Sequence, residues 1–369
     1  MQPVPSSPAP AAEPAPAAEP GPDAVPAVPS GAAPAGVHLV VRVDRGAVLV
    51  VPVDDVTSEP RRAVVDRDGA APLPDGTRSP LAVGDRVDLA TTGHEPHVQA
   101  VHARRSVLVR DSAGRTSHEQ VLAAGVDVVL VVEHLDPDPD LGRVERLLTL
   151  AWRSGARPVV VLTKADAVPD PAGMRQDVAA VAPGVDVHAV SVQEGTGLEP
   201  VRDLLAPGVV LVVVGPSGAG KSTLVNALAG APVMATSQVR ADGRGRHTTT
   251  HRELVPLAGG AMLVDTPGIR GVGLVADAGA LDVAFSDVAG LAQRCRFADC
   301  AHDAEPGCAV LAAVEAGDLP ARRLDSWRRL EREAAHHARR ADARLAALEH
   351  ARVRRVQRAR RRSPGPPRA

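Results

Sequence analysis

The segment GPSGAGKS at Gly215–Ser222, set between the apolar run VVLVVV and the helix-forming STLVNALAG, constrains this chain more than any other feature. Glycines allow successive backbone N–H groups to converge on a phosphate, and a helix that opens immediately afterwards adds the positive end of its dipole. The spacing Gly-x4-Gly-Lys-Ser satisfies the phosphate-loop pattern. It assigns Gly215, Pro216, Ser217, Gly218, Ala219, Gly220, Lys221, Ser222 and Thr223 to phosphate binding. Lys221 is the residue expected to reach the β and γ phosphates, and the Ser222 hydroxyl to ligate magnesium. A glycine-rich turn with a chance lysine has no need of a buried strand before it and a helix after it.

Lysine usage sharpens the reading. Of the 42 basic residues only Lys164 and Lys221 are lysine, and both fall in nucleotide-type motifs. A compact ammonium on a flexible stem does work that a planar guanidinium does not. Thr163, Lys164, Ala165 and Asp166 spell TKAD at the end of the apolar run PVVVL. A carboxylate at Asp166 accepts two hydrogen bonds, from N1–H and the 2-amino group of guanine, whereas adenine offers an acceptor at N1 and no such amine. Lys164 is expected to lie along the base, and the backbone at Ser191–Val192, ahead of a Gly-Thr-Gly turn, to meet the guanine O6. Asp265 opens DTPG after the strand-like AMLV, placed to hold magnesium through water, with the Gly268 N–H sensing the γ phosphate. Between the two phosphate motifs lies RADGRGRHTTTHREL, a polar stretch suited to a switch loop. Thr248 or Thr249 supplies a hydroxyl to magnesium there; Thr249 is taken as the working ligand, and the pattern does not decide between them.

The order of these motifs is unusual, because the base-reading pair precedes the phosphate-reading pair. Cutting a compact fold at a surface loop and joining its old ends changes the connectivity and keeps the site; APG at 206–208 is a plausible junction. From Gln120 strands and helices alternate, which predicts a mostly parallel α/β sheet covered on both faces. Leu147, Leu148 and Leu150 mark the apolar stripe of the first helix. Ahead of it, HLVVRV, AVLVVPV, VGDRVDLA and HVQAVHA read as short strands with turn signals. An OB-type barrel of five strands fits that length, though any small all-β domain shares the pattern.

The expected organisation is therefore a multidomain chain: 1–36, an Ala/Pro-rich disordered tail; 37–105, an OB-fold-like barrel; 106–276, a circularly permuted P-loop GTPase domain of α/β class; 277–335, a mostly helical zinc-binding domain; 336–369, a basic helix and disordered tail. The first 36 residues carry no Lys or Arg and no apolar core, so they do not read as a signal peptide. No apolar run approaches the length that spans a bilayer, and a membrane partner is not expected. An odd count of three cysteines argues for a reducing compartment, the cytoplasm. All three fall in one short stretch, Cys295, Cys300 and Cys308, with His302 between them. Three thiolates and an imidazole make a closed tetrahedral set for one structural zinc ion, with no open position for catalysis. Buried free thiols are the plainer reading, and they leave the clustering unexplained.

The net charge of -2 hides an asymmetry: from Arg322 onward there are 16 Arg against 5 acidic residues. Such a block binds something acidic or is a solvated helix with a solubilising tail.

Taken together, TKAD, GPSGAGKS, HTTT, DTPG and the Cys-x4-Cys-x-His-x5-Cys cluster, in that order, resemble the circularly permuted, small-ribosomal-subunit-dependent GTPase family known as RsgA or YjeQ. The resemblance runs from about Val37 to Glu333. It implies an N-terminal OB-type barrel, a central permuted GTPase and a C-terminal zinc domain, and a role in late maturation of the small ribosomal subunit with hydrolysis stimulated by that particle. Its implied partners are GTP and GDP, the small subunit and its ribosomal RNA, and the chain is expected to be a monomer. In this family the position after DTPG is typically apolar, and here it is Ile269. Water positioning then falls to another group, with His247 and ribosomal RNA itself both open. Thr163 stands where Asn is common, which is expected to weaken one contact holding the base loop. With two Trp, two Phe and no Tyr in the chain, RNA contact is expected to lean on Arg and phosphate and not on stacked bases. The rival readings are a nucleotide-gated RNA- or ribosome-binding switch with incidental hydrolysis, and a P-loop ATPase.

Overall fold

The computed structural model describes residues 36–91, 95–111, 119–234, 253–265 and 277–341. The expected tail before Gly36, His247, Thr248, Thr249, Gly268, Ile269 and the basic tail beyond Ala341 lie outside the described residues.

Strands β1 (Val37–Asp44), β2 (Ala47–Pro52), β3 (Arg61–Val64), β6 (Arg86–Thr91) and β7 (Pro96–Val101) form a closed ring, with a small hairpin of β4 (Ala70–Pro72) and β5 (Arg78–Pro80) inserted in it. The ring order is β1-β2-β3-β7-β6 and back to β1, and only the β3–β7 pair is parallel. This is the closure of an OB-type barrel, as expected. Small β-branched and alanine side chains fill it: Val40, Val48, Val50, Ala63, Val87, Val98 and Val101. A register shift in the β1–β2 pair between Val40 and Arg42 marks a bulge, the device that lets a strand bend and change partners. Before the bulge Val37–Leu39 pairs with β6; after it Arg42 pairs with Glu253 of the GTPase sheet.

A hairpin of β8 (Val107–Asp111) and β9 (Glu119–Ala124) leads into the α/β domain. This comprises β10 (Val128–His134), α1 (Leu141–Ser154), β11 (Arg157–Thr163), α2 (Pro171–Ala179), β12 (Asp186–Ala189), α3 (Glu199–Arg202), β13 (Val210–Val214), α4 (Lys221–Ala229), β14 (Glu253–Pro256) and β15 (Met262–Asp265). Sheet order is β12-β11-β10-β13-β15-β14, parallel except for β14. The valine-rich strands are apolar on both faces because both are covered: Val129 and Val131 enter one core, Val128, Leu130 and Val132 the other. Helix α1 starts where the Asp140 carboxylate accepts the Arg143 N–H at 3.0 Å, and stops at the left-handed Gly155.

Permutation is visible in the sheet. β13, which feeds the phosphate loop, is late in the chain yet sits between β10 and β15. The chain reaches it from the edge strand β12 through α3 and the segment 203–209, which Leu198, Val201 and Leu205 pin to the second core. Thus the strand ends of both halves emerge along one edge, where open α/β sheets bind ligands.

Helices α5 (Ala278–Ala284), α6 (Ser286–Ala292), α7 (Ala309–Ala316) and α8 (Ala321–Ala341) build the C-terminal module. Leu281, Phe285, Val288, Val310, Leu324 and Leu330 form its core, and Trp152 of α1 packs into it. Among the described residues no helix is long and apolar enough to cross a membrane.

Candidate nucleotide site and metal cluster

At the end of β13 the chain turns at Gly215 with φ 144°, and a Cβ there would lie 2.0 Å from the Val132 carbonyl oxygen of β10. No other residue fits so close to the neighbouring strand. Gly220, at φ 75°, is the last residue before α4, so the free N–H groups of the first helical turn face the loop. Lys221 donates from Nζ to the Gly215 carbonyl at 2.9 Å and to that of Pro216, which lays its ammonium across the loop. Ser222 is half-buried beside it and Thr223 is exposed.

The base-side motif meets this loop directly. Thr163, the last residue of β11 and 3% exposed, has its hydroxyl 2.8 Å from the Ala219 carbonyl in the phosphate loop and 3.2 Å from that of Glu133 in β10. Threonine keeps a hold on this loop: its hydroxyl ties the base loop to the phosphate loop across the sheet edge. Lys164 takes a left-handed conformation, φ 61°, and its Nζ donates to the Asp136 carbonyl at 2.8 Å. Ala165 N–H bonds the Val190 carbonyl at 3.1 Å, joining TKAD to the segment after β12.

There Ser191 does more than offer its backbone. Its fully buried hydroxyl donates to Asp166 Oδ1 at 2.5 Å and accepts the Glu194 N–H at 3.1 Å. One carboxylate oxygen of Asp166 is thereby held in place. Pattern matching named Ser191 for its main chain and missed this contact, although a serine followed by a tight turn is a usual source of such side-chain anchors.

Glu133 was not singled out either, yet a carboxylate at the end of an otherwise valine strand is a signal. Its side chain is fully buried; Arg143 donates to it from Nε at 2.7 Å and a second nitrogen at 3.0 Å. The bond to Glu133 raises the Arg143 pKa above its ordinary value. This pair fixes the loop from His134 to Asp140, on which Lys164 rests. Asp265 ends β15, which pairs in parallel with β13, so its backbone leaves the sheet next to the phosphate loop.

The second site lies between α6 and α7. Single ligand atoms of Cys295, Cys300, His302 and Cys308 all lie within 4.8 Å of one another. Cys295 Sγ is 3.9 Å from Cys308 Sγ, and His302 Nδ1 is 3.6 and 3.4 Å from those two sulfurs. A tetrahedral zinc ion with ordinary bond lengths demands ligand separations of about 3.8 Å for S–S and about 3.5 Å for N–S. The four residues fit a metal ion of that kind. Burial lowers the His302 pKa, favouring the neutral imidazole that ligates metal. The intervening loop is cross-braced: the Glu305 carboxylate accepts N–H groups of Ala301 at 2.9, Asp303 at 2.9 and Ala304 at 3.1 Å. Those amides, Ala301 first, hold its pKa down to about 2.

A phosphate loop and the Asp166 carboxylate converge on one sheet edge, with the strand order permuted around them. Fold and site together define a P-loop GTPase of the circularly permuted class, fused to an OB-type barrel and a Cys3His module. The family model described as RsgA GTPase matches residues 101–275, and one described as 50S ribosome-binding GTPase matches 210–346. A small ribosomal subunit biogenesis GTPase RsgA from Streptomyces coelicolor is 47% identical over 312 residues, 84% of this chain and 83% of that relative. Two crystal structures share the fold. YjeQ from Thermotoga maritima has a TM-score of 0.60 at 24% identity, over 81% of this chain and 98% of that one. YloQ, a circularly permuted GTPase, has 0.57 at 21%, over 81% and 95%. The chain belongs to the RsgA GTPase family.

Proposed function

We propose that this chain hydrolyses GTP as a checkpoint in late maturation of the small ribosomal subunit, with turnover stimulated by that particle. The observation carrying the reading is the Thr163 hydroxyl bond to the phosphate loop, which joins the two sequence-distant halves, with the Ser191 hydroxyl holding Asp166 on the base side. In that pocket Asp166 reads the guanine edge, Lys164 flanks the base and Lys221 with the loop amides grips the phosphates. Magnesium would be held by Ser222, by Thr249 and through water by Asp265, while the Gly268 N–H would sense the γ phosphate. His247 orients the attacking water. The relatives' name supports the small ribosomal subunit as the partner; contact with its ribosomal RNA, a cytoplasmic location and a monomeric state are parts of the same proposal.

Turnover measured with and without purified small subunits tests this. A positioned water is worth about 10²–10⁴-fold in rate, and stimulation of that order is the expected result, with excess ATP unable to compete. Equal turnover in both conditions would favour the nucleotide-gated switch instead.

Zinc is the ion proposed for the Cys3His set, in a structural role. When bound it offsets two of the three thiolate charges and cross-links the ends of α6 and α7. Cys308→Ser is expected to drop zinc content from one per chain to near zero and to lower the unfolding midpoint of the C-terminal module. GTP affinity should stay within about threefold, a change under 1 kcal/mol. Full zinc content in the variant would remove Cys308 from the ligand set.

A further inference from the structure

Aromatic rings are scarce in this chain, and three of the four are spent on the interior. Phe285 is fully buried, and Trp152 and Trp327 are half-buried against the C-terminal core. Phe297 is the exception at 43% exposed, the one exposed aromatic among the described residues. A single exposed apolar side chain is ordinary on a protein surface; the surroundings of this ring are what set it apart.

Its setting is built. Phe297 stands between Cys295 and Cys300, so both ends of its loop are tied to the metal cluster. The Arg296 guanidinium sits over the ring, 5.4 Å from its centroid. Arg296 is placed by its N–H, which bonds the Gly307 carbonyl at 3.1 Å, and by its stem, which lies where a side chain at Gly307 would be. Arg294 and Arg296 are exposed; Asp299 is the one acid between Cys295 and Cys300, and Asp303 and Glu305 follow on the same loop. An aromatic face, a planar cation above it and a second exposed cation on the same loop are the parts that hold an unstacked base and its phosphates.

We propose that Phe297 and Arg296 form a stacking platform for one unpaired base of single-stranded RNA, with Arg294 and Arg296 contacting the flanking phosphates. This rests on the reading that the chain engages the small ribosomal particle, and it names a contact for it. Base stacking of this kind tolerates any base, so the platform would grip a splayed nucleotide by shape and not by sequence. The metal cluster would supply rigidity, sparing the entropy of ordering the loop on binding.

The test uses the full chain with two probes, purified small subunits and a labelled unstructured RNA oligonucleotide. Phe297→Ala is expected to weaken both by about tenfold with an unchanged salt slope. Phe297→Trp should bind as the parent does. Arg294→Gln should reduce the slope of log affinity against log salt by about 0.7, the value for one single-strand phosphate contact. Zinc content and unstimulated GTP turnover check that Phe297→Ala is folded. If that variant loses zinc, an intact Phe297→Leu, apolar without a ring, takes its place with the same expectation. Parent affinity in the ringless variant overturns the proposal, as does a loss confined to the particle, which would assign the ring to a protein. Absence of particle binding by the parent chain would overturn the ribosomal reading itself.

Discussion

Replacing Arg323 with alanine is expected to cost about 3–5 kcal/mol of stability. Its side chain is 1% exposed. It donates to Glu145 of α1 at 2.9 Å, to both oxygens of Asp287 at 2.9 Å, and to the carbonyls of Val181 at 3.1 and Ala284 at 2.8 Å. The guanidinium also lies 4.0 Å above the Phe285 ring. Alanine would leave the buried Glu145 with Arg322 alone, two carbonyls without donors and a cavity over the ring. Both tryptophans of the chain pack into the same core. Urea unfolding followed by their fluorescence therefore reports on this junction. Glu145→Gln should be less than additive with Arg323→Ala, since the two share one contact. A loss below about 1 kcal/mol would mean that water fills the gap and that the hub is dispensable.

Asp166→Asn is expected to weaken GTP binding by about 10²–10³-fold while leaving the fold intact. The asparagine oxygen can keep the Ser191 hydroxyl bond seen in the parent. Its amide nitrogen then stands where the second carboxylate oxygen was, and guanine's two donors meet a donor. The same exchange suits a base carrying a carbonyl at position 2. Xanthosine triphosphate should therefore gain affinity as GTP loses it. Titration with both nucleotides, together with ATP, separates this from a general weakening of phosphate binding. Equal losses for all three would place Asp166 outside the base pocket.

Much of this molecule was legible from residues alone, for reasons that differ by element. β10, β11 and β13 announce themselves because a strand covered on both faces must be apolar throughout. β3 does not: in RRAV only Ala63 is buried, and the two arginines are exposed, so no apolar run marks it. Without β3 the ring order of the barrel cannot be deduced, even though its other strands can. The Cys3His set was readable because four ligands within one loop need no tertiary information. Arg323 is the opposite case. By pattern it belongs to the basic block offered to RNA, and it is instead an interior residue, because Glu145 lies 178 positions earlier and nothing local signals the pairing. Thr163 teaches the same lesson on a smaller scale. Its partner at Ala219 is 56 residues away, so a change from the common asparagine could be noticed but not weighed.

The bend in β1 settles how separable the barrel is. An open sheet edge offers its unpaired N–H and C=O groups to any passing strand, and β14 would be such an edge. Because β1 crosses over and its Arg42 pairs with Glu253 there, the amino-terminal unit shields the start of that flank, and excising it would leave the whole strand open to a stranger.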